Sequence, residues 1–241
     1  MKENESKVLY SFVKDKLEQD IRRGKYRTGD KLPSEFQLCS DYQVSRTTVR
    51  LALQQLEMEG KITKVRGSGS FVSKPKVVQS LTSAAKTFAD QMTAQNLRPR
   101  SQVISVKVVP ATELLAKQLQ IADDEPVNEI IRIRYASDEP LQHETSYIPW
   151  ALAPGLVDQD CEGSLYQMLR IKYNVKISRT LESVEPIMVT EAMSQLLHVP
   201  TGAPALYLET TAYEASGKPI EYSIGVFRGD RSKFTIERHY S

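Results

Sequence analysis

Cysteine and histidine are scarce in this chain, long apolar runs are missing, and each absence closes off a class of function. Two cysteines among 241 residues, Cys39 and Cys161, stand far apart and in no metal-ligand spacing, so neither a disulfide framework nor a cysteine zinc site can be drawn. The three histidines, His143, His198 and His239, are scattered, and no Ser/His/Asp or Cys/His pairing is evident. The one glycine-rich stretch is no phosphate-binding P-loop. No catalytic residue, metal or cofactor is therefore expected. No apolar run approaches the roughly 20 residues that span a bilayer, and the opening MKENESKVLYSF lacks the apolar core of a secretory signal. The expectation is a protein of the reducing cytoplasm with no membrane partner.

Net charge is also small, +2, but it is unevenly placed. Residues 1–76 hold 16 Lys+Arg against 10 Asp+Glu, a balance of +6, and residues 77–241 hold 16 against 20, a balance of −4. A polyanion partner is implied for the first part alone, unless surface charge has merely segregated by chance. The length suits two domains of ordinary size, and 40% hydrophobic with 26% charged residues is the balance of a globular protein.

Periodicity divides the chain further. Leu9, Phe12, Val13, Leu17 and Ile21 recur near helical spacing, predicting a helix over Tyr10–Arg23 that Gly24 stops. After a turn-rich connector, Ser34 is placed to cap a helix over Glu35–Tyr42, with Gln37 three residues on. Ser45 caps a third helix, Arg46–Glu59, ended by Gly60. Lys61–Val65 and Ser70–Ser73 read as short strands joined by Arg66-Gly67-Ser68-Gly69, and Lys74-Pro75-Lys76 as a linker. Beyond it, helices are predicted at Thr82–Asn96, Thr112–Leu119 (capped by Thr112), Leu165–Tyr173 and Thr190–Leu197. Strands are predicted at Val103–Val109, Val127–Ala136, Leu141–Ile148, Ile177–Val184, Ala205–Glu214 and Ile220–Phe227. Hairpin turns such as Ser137-Asp138-Glu139-Pro140 favour a largely antiparallel sheet, so the fold class is α+β.

The third helix carries most of the functional information. Val49, Leu53 and Leu56 share one face with Ala52 beside them, while Thr47, Arg50 and Gln54 share the other. Arg46 and Thr47 sit in the first turn, the end a recognition helix directs at base edges. An arginine there can offer two parallel donors to guanine O6 and N7, and threonine hydroxyls with helix N-terminal amides can take a phosphate. A polar helix face alone is usually a solvated one. The tight two-helix turn before it and the Gly-Ser-Gly tip flanked by Lys64 and Arg66 make a winged helix-turn-helix the better reading, since glycine lets a wing approach the DNA backbone closely.

These segments resemble a known family. Lys31-Leu32-Pro33-Ser34-Glu35, Val44-Ser45-Arg46-Thr47-Thr48-Val49-Arg50, Gly60 and Arg66-Gly67-Ser68-Gly69-Ser70-Phe71-Val72 look like the GntR family of bacterial regulators, over about 40 residues at that family's spacing. The resemblance implies DNA contact by Arg46, Thr48 and Arg50, a wing tip shaped by Gly67 and Gly69, and an interface that takes in Ser34, Glu35, Ser45, Thr47, Lys64, Arg66 and Ser68. Many members carry an arginine directly after the Leu-Pro-Ser-Glu glutamate; here that position is Phe36.

In the second part, Arg132 and Arg134 lie on one strand face by the period of two, an arrangement that suits a phosphate or carboxylate, or else salt bridges to nearby acids. Ser164 is a natural N-cap whose helix start could hold an anion. Glu144 and Glu221 occur in separate strands and could take sugar hydroxyls or simply face solvent. Ile131-Arg132-Ile133-Arg134, His143–Pro149, Gly163–Tyr166, Leu181–Pro186 and Phe227–Phe234 resemble the UTRA effector-binding domain of the HutC branch of GntR regulators, a chorismate-lyase-like fold.

The likeness extends to regulators of amino-sugar use that sense phosphorylated glucosamine derivatives. It implies that Thr87, Phe88, Arg132, Arg134, Ser164 and Tyr166 surround a phosphate, with Glu144 and Glu221 facing hydroxyls or an amino group. Phe227 stands where a tyrosine is expected. The division expected is 6–76 for the winged helix-turn-helix and 77–241 for the effector and dimerisation domain. The function expected is a homodimeric repressor released from operator DNA by a small anionic effector. A non-sugar carboxylate effector, an enzyme on the lyase-like fold and a nonspecific architectural DNA binder are the rivals.

Overall fold

The computed structural model describes residues 2–65, 67–81 and 87–238, with only the backbone of residues 2–8. The chain forms two compact units, Met1–Lys76 and Val77–Ser241. In the first, α1 (Lys2–Arg22) extends beyond its predicted start, because the polar stretch before Val8 carries no apolar period. Val13 and Leu17 are buried, while Leu9 and Phe12 of the same predicted stripe are exposed, so the packed face is narrower than the sequence pattern. Ser34 caps α2 (Glu35–Tyr42), which ends at Gln43 in the left-handed conformation, φ 53°. Ser45 then caps α3 (Arg46–Met58), accepting from the Thr48 N–H. These two caps set the short turn between the helices. Val49, Ala52, Leu53 and Leu56 close on Val13, Leu17 and Leu38 in one core.

The hairpin follows as β1 (Ile62–Val65) and β2 (Gly69–Val72), registered from Ile62↔Val72 to Val65↔Gly69. Gly69 belongs to the second strand rather than to the turn. A bridge from Lys31 to Phe71 ties the connector before α2 to this wing.

The second unit opens with β3 (Val77–Ser80) and α4 (Phe88–Thr93). The helix predicted over Thr82–Asn96 is thus shorter: 82–86 lie outside the described residues, a Thr87–Asp90 capping box starts the helix at Phe88, and Asn96 adopts φ 58°. A six-stranded antiparallel sheet is built from β4 (Pro99–Pro110), β5 (Pro126–Ala136), β6 (Glu139–Pro149), β7 (Arg179–Met188), β8 (Pro204–Tyr213) and β9 (Pro219–Arg228), in the order β4-β5-β6-β9-β8-β7. All six were predicted, with ends displaced by up to four residues. Between them stand α5 (Glu113–Leu119), α6 (Leu165–Tyr173) and α7 (Glu191–Leu197), each beginning directly after its threonine or serine cap.

On one sheet face α5 packs against Val127 and Tyr222. On the other, Leu165 and Leu169 of α6 pack against Ile130 and Ile148. The period of two then places Arg132, Arg134, Glu144 and Ser146 on the α6 side. The last strand, β10 (Ser232–Thr235), was not predicted. It pairs in parallel with β3, from Ser232↔Val77 to Thr235↔Ser80.

Candidate DNA interface and ligand site

In the first unit, the α3 surface away from the core presents Arg46, Thr47, Arg50 and Gln54. Glu35, in the first turn of α2, holds both arginines: its carboxylate accepts from Arg46 Nε at 2.9 Å and from Arg50 Nε at 3.2 Å. The Arg46 hydrogen bond, helped by that from Arg50 and opposed by partial burial, lowers the Glu35 carboxyl below its ordinary range. Because the pairing uses Nε, the terminal nitrogens of both guanidinium groups make no hydrogen bond among the described residues. They remain free to meet a base or phosphate.

Ser34 and Ser45 are occupied as caps, accepting from Gln37 N and Thr48 N at 3.2 Å each. Thr48 requires a correction. It is 5% exposed, with its hydroxyl 2.9 Å from that of Ser45, so it secures the start of α3 instead of facing outward.

On the wing, Lys64 pairs with Glu57 of α3 at 3.4 Å. Gly67, at φ +77°, and Ser68 form the exposed tip, while Arg66 lies outside the described residues. At Gly69, φ +120°, a Cβ would come within 2.9 Å of Lys31 Cε. Lys31 therefore lies along the wing backbone and adds a cation that sequence reading missed; the motif contained it, but its approach to the wing depends on the tertiary bridge to Phe71.

In the second unit the two predicted arginines meet one acid. Glu144 Oε2 accepts from Arg132 Nη2 and, at 2.9 Å, from Arg134 Nη2, while Gln142 Nε2 donates to Oε1 at 3.3 Å. Burial alone would raise this carboxyl, but the two arginines outweigh it and bring Glu144 down to about 2. Arg132 is 1% exposed, and its Nη1 donates to the carbonyls of Cys161 and Gly163 at 3.1 and 3.3 Å. Of the two readings left open for this pair, the structure shows the salt bridge, and Arg132 also fastens the loop before α6. Arg134 is the more accessible of the two, with its guanidinium carbon 5.2 Å from the centre of the Phe88 ring.

The remaining predicted residues gather around this group with unequal roles. Ser164 caps α6 by accepting from Gln167 N at 3.4 Å, and the Thr87 hydroxyl donates to Asp90 at 2.8 Å in its capping box. Glu221 is 2% exposed, and its Oε2 has no partner among the described residues. Burial and then the Glu144 charge raise its carboxyl above the ordinary range. Burial and the Glu221 charge likewise push up the Tyr166 phenol, which places that ring beside the acid. Phe227 is buried, lies where a Cβ on Gly225 would meet its ring at 2.8 Å, and stands edge-on to Phe234. It packs on the same sheet face as Gln142 and Glu144, without the hydroxyl of a tyrosine.

Sequence reading missed Gln142, although it shares the period of two with Glu144. It also missed Gln91 and Gln95 of the segment around α4. Gln95 donates to Val78 O at 2.7 Å and accepts from Val78 N at 2.9 Å, and Gln91 accepts from Ser80 N at 2.8 Å. These amides stand in for a neighbouring strand along β3. Among the described residues no group of three or more His, Cys, Asp and Glu is placed to hold a metal, and no helix is long and apolar enough to cross a membrane.

Comparison with known proteins agrees over both units. Residues 9–72 match the model of the bacterial regulatory proteins of the gntR family, and residues 94–233 match that of the UTRA domain. The chain is 34% identical to the mannosyl-D-glycerate transport/metabolism system repressor MngR of Escherichia coli, over 95% of each chain. It is 33% identical to the HTH-type transcriptional repressor NagR of Bacillus subtilis, over 96% of this chain and 94% of that one. Among solved structures it resembles PhnF from Mycobacterium smegmatis, with a TM-score of 0.67 and 26% identity over 95% of this chain and all of that one.

Proposed function

Because the chain belongs to the GntR family of bacterial regulatory proteins and carries a UTRA domain, we propose that this DNA-binding transcription regulator is a cytoplasmic repressor that a phosphorylated sugar or amino sugar releases from its operator. The observation that carries the ligand class is the buried ionic group of the second unit. Two arginines converge on the Glu144 carboxylate, and Arg134 is the accessible member of the pair. Its Nε has no partner among the described residues, so its guanidinium can take an anion as well. Glu221, buried with an unpartnered oxygen, offers an acceptor to a hydroxyl or ammonium of the same ligand. The relative named as the repressor of a mannosyl-D-glycerate system supports this reading.

In the first unit, Arg46 and Arg50 read base edges, and Thr47, Lys64, Arg66, Ser68 and Lys31 meet the backbone. Two copies on a two-fold symmetric operator bring two α3 helices to successive major grooves, so half-site spacing must match their separation. The coupling begins with chain continuity. Lys76 leads directly into β3, which is held by β10 on one side and by the Gln91 and Gln95 amides on the other. Gln91 belongs to α4, the helix whose Phe88 stacks on Arg134. A ligand at Arg134 that favours one placement of α4 shifts the linker strand and lowers DNA affinity by its differential affinity for the two states.

A thermal-shift screen of phosphosugars, their unphosphorylated parents and small carboxylates tests this. A true effector at 100 times its Kd stabilises the chain by about 2.7 kcal/mol. A phosphosugar that raises the melting point and also releases DNA is the expected result. A carboxylate doing so in its place, or turnover of any compound in the panel, overturns the ligand class or adds catalysis to the function.

A further inference from the structure

Phe36 is the most exposed large apolar side chain among the described residues, at 85%. It has no ring or cation partner among them. Its position makes that exposure informative. Glu35, one residue before it, reaches across to Arg46 and Arg50, so the first turn of α2 lies beside the first turns of α3. Along α2 the side chains inside or against the core are Leu38, Cys39 and Tyr42. At 100° per residue Phe36 projects about 160° away from Leu38. The phenyl ring thus points away from the core, in the same helical turn as the residue that holds the two arginines. An aromatic ring left in water gains nothing in the free protein; burial is what would favour it.

Of the groups a duplex displays in its major groove, the thymine C5-methyl is the apolar one, and phenylalanine is among the side chains that read it. We propose that Phe36 is a specificity-determining residue that packs on a thymine methyl group next to the bases met by Arg46 and Arg50. It adds an A·T preference that the arginines alone do not supply. The inference rests on the DNA-reading role of α3.

The test uses the full chain and a duplex that it selects from a randomised pool. In that duplex each thymine is replaced in turn by deoxyuridine, which removes only the methyl group. Losing one buried methyl should weaken binding about fourfold. The expected result is one such position in the half-site for the wild type. Phe36→Ala should bind the thymine duplex about that much more weakly and be indifferent to uracil there, and Phe36→Leu should restore part of the sensitivity. Exposed as it is, Phe36 can be changed without disturbing the core, which circular dichroism of each variant checks. Uracil that is silent at every thymine overturns the inference, as does an equal uracil effect in wild type and Phe36→Ala, which would assign the methyl to another side chain. A pool from which no sequence emerges instead defeats the DNA-reading role of α3 itself.

Discussion

Phe234 on β10 stands edge-on to Phe227 on β9, with ring centroids 4.9 Å apart and planes at 79°. One of these rings belongs to the main sheet, and the other to the strand that holds β3 and hence the linker. Replacing the half-buried Phe234 by Ala should cost on the order of 1–2 kcal/mol of stability and leave DNA affinity without ligand within about twofold. Coupling between sites is typically 5- to 150-fold. The ligand-induced fall in DNA affinity should shrink by at least about fivefold, with Phe234→Leu recovering part of it. DNA titrations with and without the phosphosugar that passes the thermal screen measure this. An undiminished response in Phe234→Ala removes the ring pair from the route.

Glu35 organises the base-reading surface by neutralising one of two arginine charges. Arg50→Ala should weaken binding to the selected duplex by roughly 5- to 150-fold, the cost of one good base contact of about 1–3 kcal/mol. Glu35→Ala should behave differently. Freed of their acid, Arg46 and Arg50 find phosphates more readily, so nonspecific binding tightens and the salt dependence steepens while discrimination falls. Titrations on selected and scrambled duplexes at several salt concentrations separate the two outcomes.

Arg132 and Arg134, adjacent by period, should part company on mutation. Arg132→Ala leaves Glu144 short of one partner and the carbonyls of Cys161 and Gly163 without theirs, inside the fold. Breaking such a buried pair costs about 3–5 kcal/mol, so this variant should melt early or fail to fold. Arg134→Ala should keep most of the stability and lose ligand affinity. Melting curves paired with ligand titrations decide it; the reverse pattern would exchange the two roles.

The two acids of the ligand site should respond to pH with opposite sign. Glu144 titrates at about 2 when folded against 4.5 ordinarily, so below 4.5 the unfolded chain takes the proton first. Its contribution to stability is complete above 4.5 and is lost as pH falls toward 2. Glu221 is raised when folded, so its charged form is a burden at neutral pH that eases as pH falls through the raised value toward 4.5. Glu221→Gln should therefore raise the urea midpoint near neutrality and give no advantage below 4.5, whereas Glu144→Gln should lower the neutral midpoint and flatten the acid limb. Urea titrations from roughly pH 7 to roughly pH 3 make the comparison.

What could be read from the sequence was what is local. Ser34, Ser45, Thr112 and Ser164 begin their helices where their hydroxyls can reach a nearby N–H, and the β1–β2 hairpin follows from a glycine turn between β-branched runs. The β3–β10 pair has no such signal. Its partners are about 155 residues apart and join in parallel without a connecting hairpin. Thr48 belongs to the same motif as Arg46 and Arg50, yet its side chain turns inward, a choice made by the packing of α3. The burial of Arg132 depends on two carbonyls some 30 residues further on, which no periodicity reveals. The residue types that gather around Glu144 were legible, but which of them the packing ties up was not.

The parallel pairing of β3 with β10 also has a genetic consequence. A chain stopped at Asp230 would lose only the final strand and tail, and would keep all six strands of the main sheet and the whole helix-turn-helix. Yet it would leave the first strand after Lys76 without its sheet partner. Nonsense mutations between Asp230 and β10 should therefore be a source of regulators that hold their operator and no longer answer an inducer.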